Sequence, residues 1–192
     1  MKKFIFTLSI ILGLGMMANN AMAQSFGIHA GLNLAEFQHE KINYDSKPGF
    51  FIAGTYELPL TASLPLYVES GLMLSQKGAL VKGGGEEVTS NIFYLEVPAM
   101  LRYKFALASD LAIVPAAGLY LGYGISGKTK WRDHDADLFG DNGFKRTDLG
   151  VRLGINMEYS CFAVGAGYEI GLLEIADKLT TRNLYISFGY KF

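Results

Sequence analysis

The sequence predicts an all-β chain, an eight-stranded antiparallel up-and-down transmembrane β-barrel after a cleaved signal peptide. Three observations carry that reading. Eight stretches alternate apolar and small or polar residues with period two. The connections between them alternate long and short. Aromatic residues collect at the ends of the stretches, on the apolar face.

The first stretch, 26–35, places Phe26, Ile28, Ala30, Leu32 and Leu34 on one face. The second, 49–58, offers Phe50, Ile52, Tyr56 and Leu58, and the third, 66–76, Leu66, Val68, Leu72 and Leu74. The fourth, 92–105, carries Phe93, Leu95, Val97, Ala99, Leu101, Tyr103 and Phe105. The fifth, 111–125, shows Leu111, Ile113, Leu119, Leu121 and Tyr123. The sixth, 147–159, shows Leu149, Val151, Leu153, Ile155, Met157 and Tyr159, and the seventh, 162–170, Phe162, Val164, Ala166, Tyr168 and Ile170. The last, 183–192, alternates without a break: Leu184, Ile186, Phe188, Tyr190 and Phe192 against Asn183, Tyr185, Ser187, Gly189 and Lys191. Each stretch is near the nine to eleven residues that a tilted strand needs to cross a bilayer. Pro98 and Pro115 interrupt the pattern, and because proline removes a ladder hydrogen bond each predicts a local bulge or bend.

The connections 36–48, 77–91, 126–146 and 171–182 are long, whereas 59–65, 106–110 and Ser160-Cys161 are short. Outer-membrane barrels have short periplasmic turns and longer external loops. With the N-terminus on the periplasmic side, all seven connections fall on the expected side. Phe26, Tyr56, Tyr103, Phe105, Tyr159 and Phe162 then form a girdle at the periplasmic interface, with Tyr190 and Phe192. Phe50, Phe93, Tyr123 and Tyr168 lie at the external one.

Alternation alone fits equally a soluble barrel turned inside out, as in lipocalins. The second face decides: it is mostly Gly, Ala, Ser and Asn with charges at intervals, rather than densely charged. Small residues suit the crowded bore of a narrow barrel. The charges there are of both signs: Glu69, Glu96, Arg102, Lys104, Asp148, Arg152, Glu158 and Glu169. An isolated buried ion costs several kcal/mol, so these ions must pair. The expectation is an interior network in which Arg102 and Arg152 bridge the glutamates and plug the bore. A gated ion path through the same charges is the alternative. His29, on that face, reads as a hydrogen-bonded interior residue.

Lys2 and Lys3, the apolar run Phe4 to Met17, and Ala21-Met22-Ala23 make a signal peptide over 1–23, with residues 24–192 as one barrel domain. An uncleaved anchor helix is the competing reading, and the short apolar core argues against it. The single cysteine, Cys161, cannot form an internal disulfide. Net charge is −1 with no basic block, which gives no reason to invoke nucleic acid.

Gly27-Ile-His-Ala-Gly-Leu-Asn-Leu34, Lys47-Pro-Gly-Phe50, Ser75-Gln-Lys-Gly78, Tyr94-Leu-Glu-Val-Pro98, Asp148-Leu-Gly150 and Tyr168-Glu-Ile-Gly-Leu172 follow one another in an order and spacing that resembles the PorT-like outer-membrane β-barrel family. The likeness covers nearly the whole chain after residue 23. It implies an integral protein of the cell outer membrane, in contact with its lipids. Some family members are accessory parts of a secretion apparatus, which makes envelope or secretion proteins possible partners. Phe192, with Tyr190 and Phe188, resembles the terminal signal read by the barrel assembly machinery.

The chemistry sought gives little. Asp133, Asp135 and Asp137 imitate the first half of a calcium loop, but Leu138 stands at the glycine position and Phe144 at the closing glutamate. A solvated external loop is the simpler reading, and no metal or cofactor is expected. Gly83-Gly-Gly85 lacks the ending of a phosphate loop and reads as a loop tip. His29, His39 and His134 do not cluster with a serine, and His39 could reach Ser90 only through loop folding. A non-catalytic role through external loops is therefore expected, with a lipid-modifying enzyme or a narrow small-solute channel as alternatives.

Overall fold

The structure, a computed structural model, describes residues 25–39, 45–83, 86–131, 134–139, 143–176 and 178–192. The expected signal peptide lies outside them. The strands are β1 (Ser25–Gln38), β2 (Asp45–Pro59), β3 (Leu66–Gly83), β4 (Glu86–Tyr103), β5 (Phe105–Ala108), β6 (Leu111–Trp131), β7 (His134–Asp137), β8 (Thr147–Tyr159), β9 (Phe162–Gly171) and β10 (Thr180–Lys191). All pairings are antiparallel. β1 pairs with both β2 and β10, and β4 with both β3 and β6, which closes the sheet. β5 continues β4 along β6, so the closed barrel has eight staves. β7 pairs only with β6, beyond the barrel.

The period-two pattern sorts the two faces. On β1, Leu32 is 60% exposed while the adjacent Asn33 is 3% exposed. The same outward set runs around the wall through Ile52, Leu72, Leu101, Leu119, Leu153, Val164 and Ile186. A soluble barrel would bury that face; this one presents a continuous apolar belt, far beyond the patches that water-soluble monomers expose. The ions and most of the strand glycines line the bore, while Gly54 lies on the outer face.

Two expectations are corrected. The connection 77–91 is mostly strand: β3 and β4 remain paired from Lys77↔Ile92 to Gly83↔Glu86. The connection 126–146 is also partly strand, since β6 runs to Trp131 and β7 pairs back from Lys128↔Asp137 to Trp131↔His134. Greasy alternation ends where lipid contact ends, but backbone pairing has no such limit, so the sequence pattern stops short of the strands.

The prolines do not shift the register. Ser70↔Ala99 and Met73↔Glu96 flank Pro98 in step. Pro115 interrupts the ladder between Arg102↔Ala116 and Phe105↔Ile113, and Lys104 N–H donates instead to the Pro65 carbonyl at 2.9 Å. Each proline removes one donor, while the strand's other edge holds the alignment. The register shifts lie elsewhere, between Ser46 and Phe51, Phe93 and Tyr94, and Ala106 and Ala108.

Candidate functional site

The bore contains two layers of ions. Toward the short-turn end, Arg102 on β4 is 2% exposed and directs Nη1 to Glu57 Oε2 on β2 at 2.7 Å and to Glu69 Oε2 on β3 at 2.5 Å. Its Nη2 lies 2.6 Å from Glu158 Oε1 on β8. Lys104 contacts Glu57 and stands 3.6 Å from Glu158. Lys191 on β10 lies 2.5 Å from Glu158 and 3.4 Å from Glu57. Three cations thus face three carboxylates drawn from β2, β3 and β8. The desolvation that isolated ions would suffer is offset by mutual attraction in a low-dielectric interior.

The second layer lies nearer the long-loop end. Lys77 on β3 is 2.7 Å from both Glu96 on β4 and Glu169 on β9. Arg152 on β8 contacts Glu169 and stacks over the Tyr185 ring, 4.0 Å from its centroid. Asn183 donates to Glu169 at 2.9 Å and to Asn33 at 3.1 Å, and Asn33 donates to Ser75 at 2.9 Å. Asp148 accepts from the Thr181 hydroxyl at 2.8 Å and the Tyr120 hydroxyl at 3.2 Å.

Between the layers is a void of about 50 Å³ bordered by His29, Arg102, Arg152 and Asn156. That is room for about three waters at the roughly 15 Å³ each requires. Large side chains reach across the bore only because glycines leave space. A Cβ on Gly167 would stand 2.2 Å from the Tyr185 hydroxyl, and one on Gly189 would stand 2.3 Å from His29 Nδ1.

Above the second layer the mouth is capped by an apolar cluster. Phe37, Ala79, Ile92, Tyr94, Leu138, Ile175 and Leu179 are buried together, with Phe139 and Phe144 packed on them. Backbone bonds tie the cap to itself and to the wall: Lys145 N–H to the Ile175 carbonyl at 2.6 Å, and Leu138 N–H to the Gly127 carbonyl at 3.1 Å. The segment around Leu138 is therefore not the solvated loop expected from its aspartates, because its apolar residues fold inward over the bore. Asp137 accepts the Phe139 N–H at 2.8 Å. The side chains of Asp133, Asp135 and Asp141 lie outside the described residues, as do those of Trp131 and His134.

All eight ions named from sequence line the bore, but not in one network. Glu69, Arg102, Lys104 and Glu158 share the lower layer. Glu96, Arg152 and Glu169 share the upper, and Asp148 accepts from Tyr120, whose ring lies 4.5 Å from the Lys77 ammonium. Sequence reading missed Glu57, Lys77 and Lys191. Glu57 and Lys191 sit on the inward parity of strands already drawn, so the signal was present. Lys77 lies in the stretch 77–91, where the alternation of an apolar face has ended and the sequence reads as a connection. Of the aromatics, Tyr103 and Phe105 pack at 4.5 Å, and Phe162, Tyr190 and Phe192 meet edge to face in sequence at 5.5 and 5.1 Å at the short-turn end.

A closed wall with lipid-facing apolar side chains outside and paired ions inside defines an outer-membrane β-barrel protein. The chain belongs to the family described as the outer membrane protein beta-barrel domain, whose model matches residues 19–177. No curated protein matches it in sequence. Among solved structures it is similar to Neisserial surface protein A, with 14% identity and a TM-score of 0.54, covering 88% of this chain and 99% of that one. It is also similar to Ail, the attachment invasion locus protein of Yersinia pestis, with 15% identity and a TM-score of 0.52, covering 89% and 100%. A major outer membrane protein from Thermus thermophilus matches with 16% identity and a TM-score of 0.52, covering 88% and 100%. At these identities the likeness is one of fold.

Proposed function

We propose that the protein is a non-catalytic component of the outer-membrane surface, working through its external face while the ion layers and cap keep the bore shut. The observation that carries this reading is the extension of the wall beyond the membrane. β3, β4, β6 and β7 continue as one sheet past the outermost exposed apolar residues of β4 and β6, Phe93 and Ile125. Most outward positions of that extension, among them Gln76, Asn91, Ser126 and Lys128, are polar, with Leu80 an apolar exception. A sheet held rigid by the barrel and faced largely with polar groups is suited to contact partner proteins of the envelope.

The same proposal includes export with removal of residues 1–23, recognition of Phe192 by the assembly machinery, and the finer PorT-like kinship. A secretion-accessory role follows only by analogy. An enzyme needs a nucleophile with a base in reach. The Ser90 hydroxyl pairs with that of Thr129 at 3.0 Å, and the His29 ring is packed against Gly189 inside the bore.

The test replaces residues 128–137 with a two-residue turn and compares amine-directed crosslinking in intact outer membranes. Loss of the crosslinked species, with the barrel still folded by its gel shift, supports the reading. An unchanged crosslinking pattern rejects it. Unitary conductance steps from the wild-type protein in planar bilayers would replace it with the channel alternative.

A further inference from the structure

The lipid-facing wall is not uniform. Across β1, β2 and β3, cross-strand neighbours pair as Ile28↔Gly54↔Leu72 and Phe26↔Tyr56↔Ser70. Gly54 and Ser70 therefore put two small residues on a diagonal among large ones, and the wall is dented there. The trough has a volume of about 420 Å³ and is bordered by Phe26, Ile28, Tyr56, Leu72 and Phe192, with Val97 in its floor. A Cβ on Gly54 would meet nothing within 4 Å. Val97 and Ser70 are recessed to 8% and 5% exposure, while the Leu72 beside them is 43% exposed.

We propose that this trough is a binding site for one acyl chain of a phospholipid. Its lining is almost wholly apolar. The only side-chain hydroxyl in the floor, that of Ser70, donates to the Pro98 carbonyl at 2.7 Å, so a serine on a lipid-facing position presents carbon to the membrane. Beneath, Gly27 pairs with Thr55 and Thr55 with Gly71 in the strand ladders, while on the β4 side the pairing passes from Ser70↔Ala99 to Met73↔Glu96. One end of the trough lies among Phe26, Tyr56 and Phe192, at the aromatic girdle where headgroups sit. A chain descending from a headgroup at that level would enter it directly. At the roughly 15 Å³ per water-sized group applied to the void in the bore, the trough holds on the order of 28 such groups, ample for a single chain. A chain seated there exchanges mobile lipid contacts for a close-packed wall, a gain of dispersion contact rather than of hydrophobic burial.

The test uses vesicles of palmitoyl-oleoyl phosphatidylethanolamine and phosphatidylglycerol, mild detergent extraction and native mass spectrometry. The wild-type protein is expected to retain one phospholipid. Gly54→Leu, which fills the trough, is expected to retain at least fivefold less. Ala166→Leu, on the outward face of β9, is expected to match wild type. Equal retention in all three, or a dimer mass in place of a lipid adduct, overturns the site. A second measurement needs only the wild-type chain: a phospholipid with a diazirine in its acyl chain should label Ile28, Leu72 and Val97 in preference to Ile155 and Val164. Even labelling around the barrel also overturns it.

Discussion

Lys77 and Glu96 stand 2.7 Å apart with 1% and 0% of their side chains exposed, joining β3 to β4 just below the apolar cap. The lysine also holds Glu169 of β9, so one ammonium links opposite sides of the bore. Breaking a buried pair by removing one member costs about 3–5 kcal/mol, because the other charge stays behind. Lys77→Met should lower the unfolding free energy of the barrel by that order, read as a lower urea midpoint. The double variant Lys77→Met/Glu96→Met should recover part of the loss. A double variant no more stable than the single one would count against this pairing.

Arg102 holds the lower layer in the same way. Arg102→Met leaves Glu57, Glu69 and Glu158 with only Lys104 and Lys191 between them. The expected loss is again about 3–5 kcal/mol, read as a lower temperature for the heat-induced gel shift. A melting temperature equal to wild type would remove the layer from the account of stability.

Leu153 points into lipid and is 46% exposed, and its neighbour Arg152 points into the bore. Leu153→Arg puts a charge on the lipid face, at a cost of about 2–4 kcal/mol near the bilayer midplane. Folding yield into vesicles should fall sharply, and wild-type yield would show the face to be misassigned.

Two glycines should respond oppositely to a methyl group. At Gly118 a Cβ would lie 2.0 Å from the Ala99 carbonyl oxygen and 2.8 Å from Met100 Cα, backbone that cannot step aside. Gly118→Ala should therefore cost about 1–3 kcal/mol, as overpacking does. Gly54 faces open space, and Gly54→Ala should stay within about 0.5 kcal/mol of wild type. Equilibrium unfolding of the pair in one detergent decides between them.

Ile175 is fully buried at the centre of the cap, where the wall supplies only part of its surroundings. Ile175→Ala should loosen the cap before the barrel, since truncating a buried isoleucine costs about 2–5 kcal/mol. Limited proteolysis should then cut within 171–182 while the gel shift of the barrel persists. Simultaneous loss of both would mean that cap and barrel unfold as one unit.

The eight staves, their facing and the side of each long connection were all legible in the sequence. Alternation is a local property: a strand's side chains point to opposite faces wherever it sits, and a lipid belt writes that geometry directly into the choice of residues. The membrane's limits also explain what went unread. Beyond Leu74 and before Phe93 no lipid demands an apolar face, so the continuation of β3 and β4 left no signature, and Lys77 was lost with it. That Arg102 and Arg152 bridge glutamates was legible, but the partners each takes and the split into two layers were not. Asn183 meets Asn33 across 150 residues of chain, and Glu57, Arg102 and Glu158 converge only once β1 has closed on β10. Which carboxylate answers which cation is fixed by strand stagger and barrel closure, and the cap by where Leu138 and Ile175 fold back. These are distances through space that no period along the chain encodes.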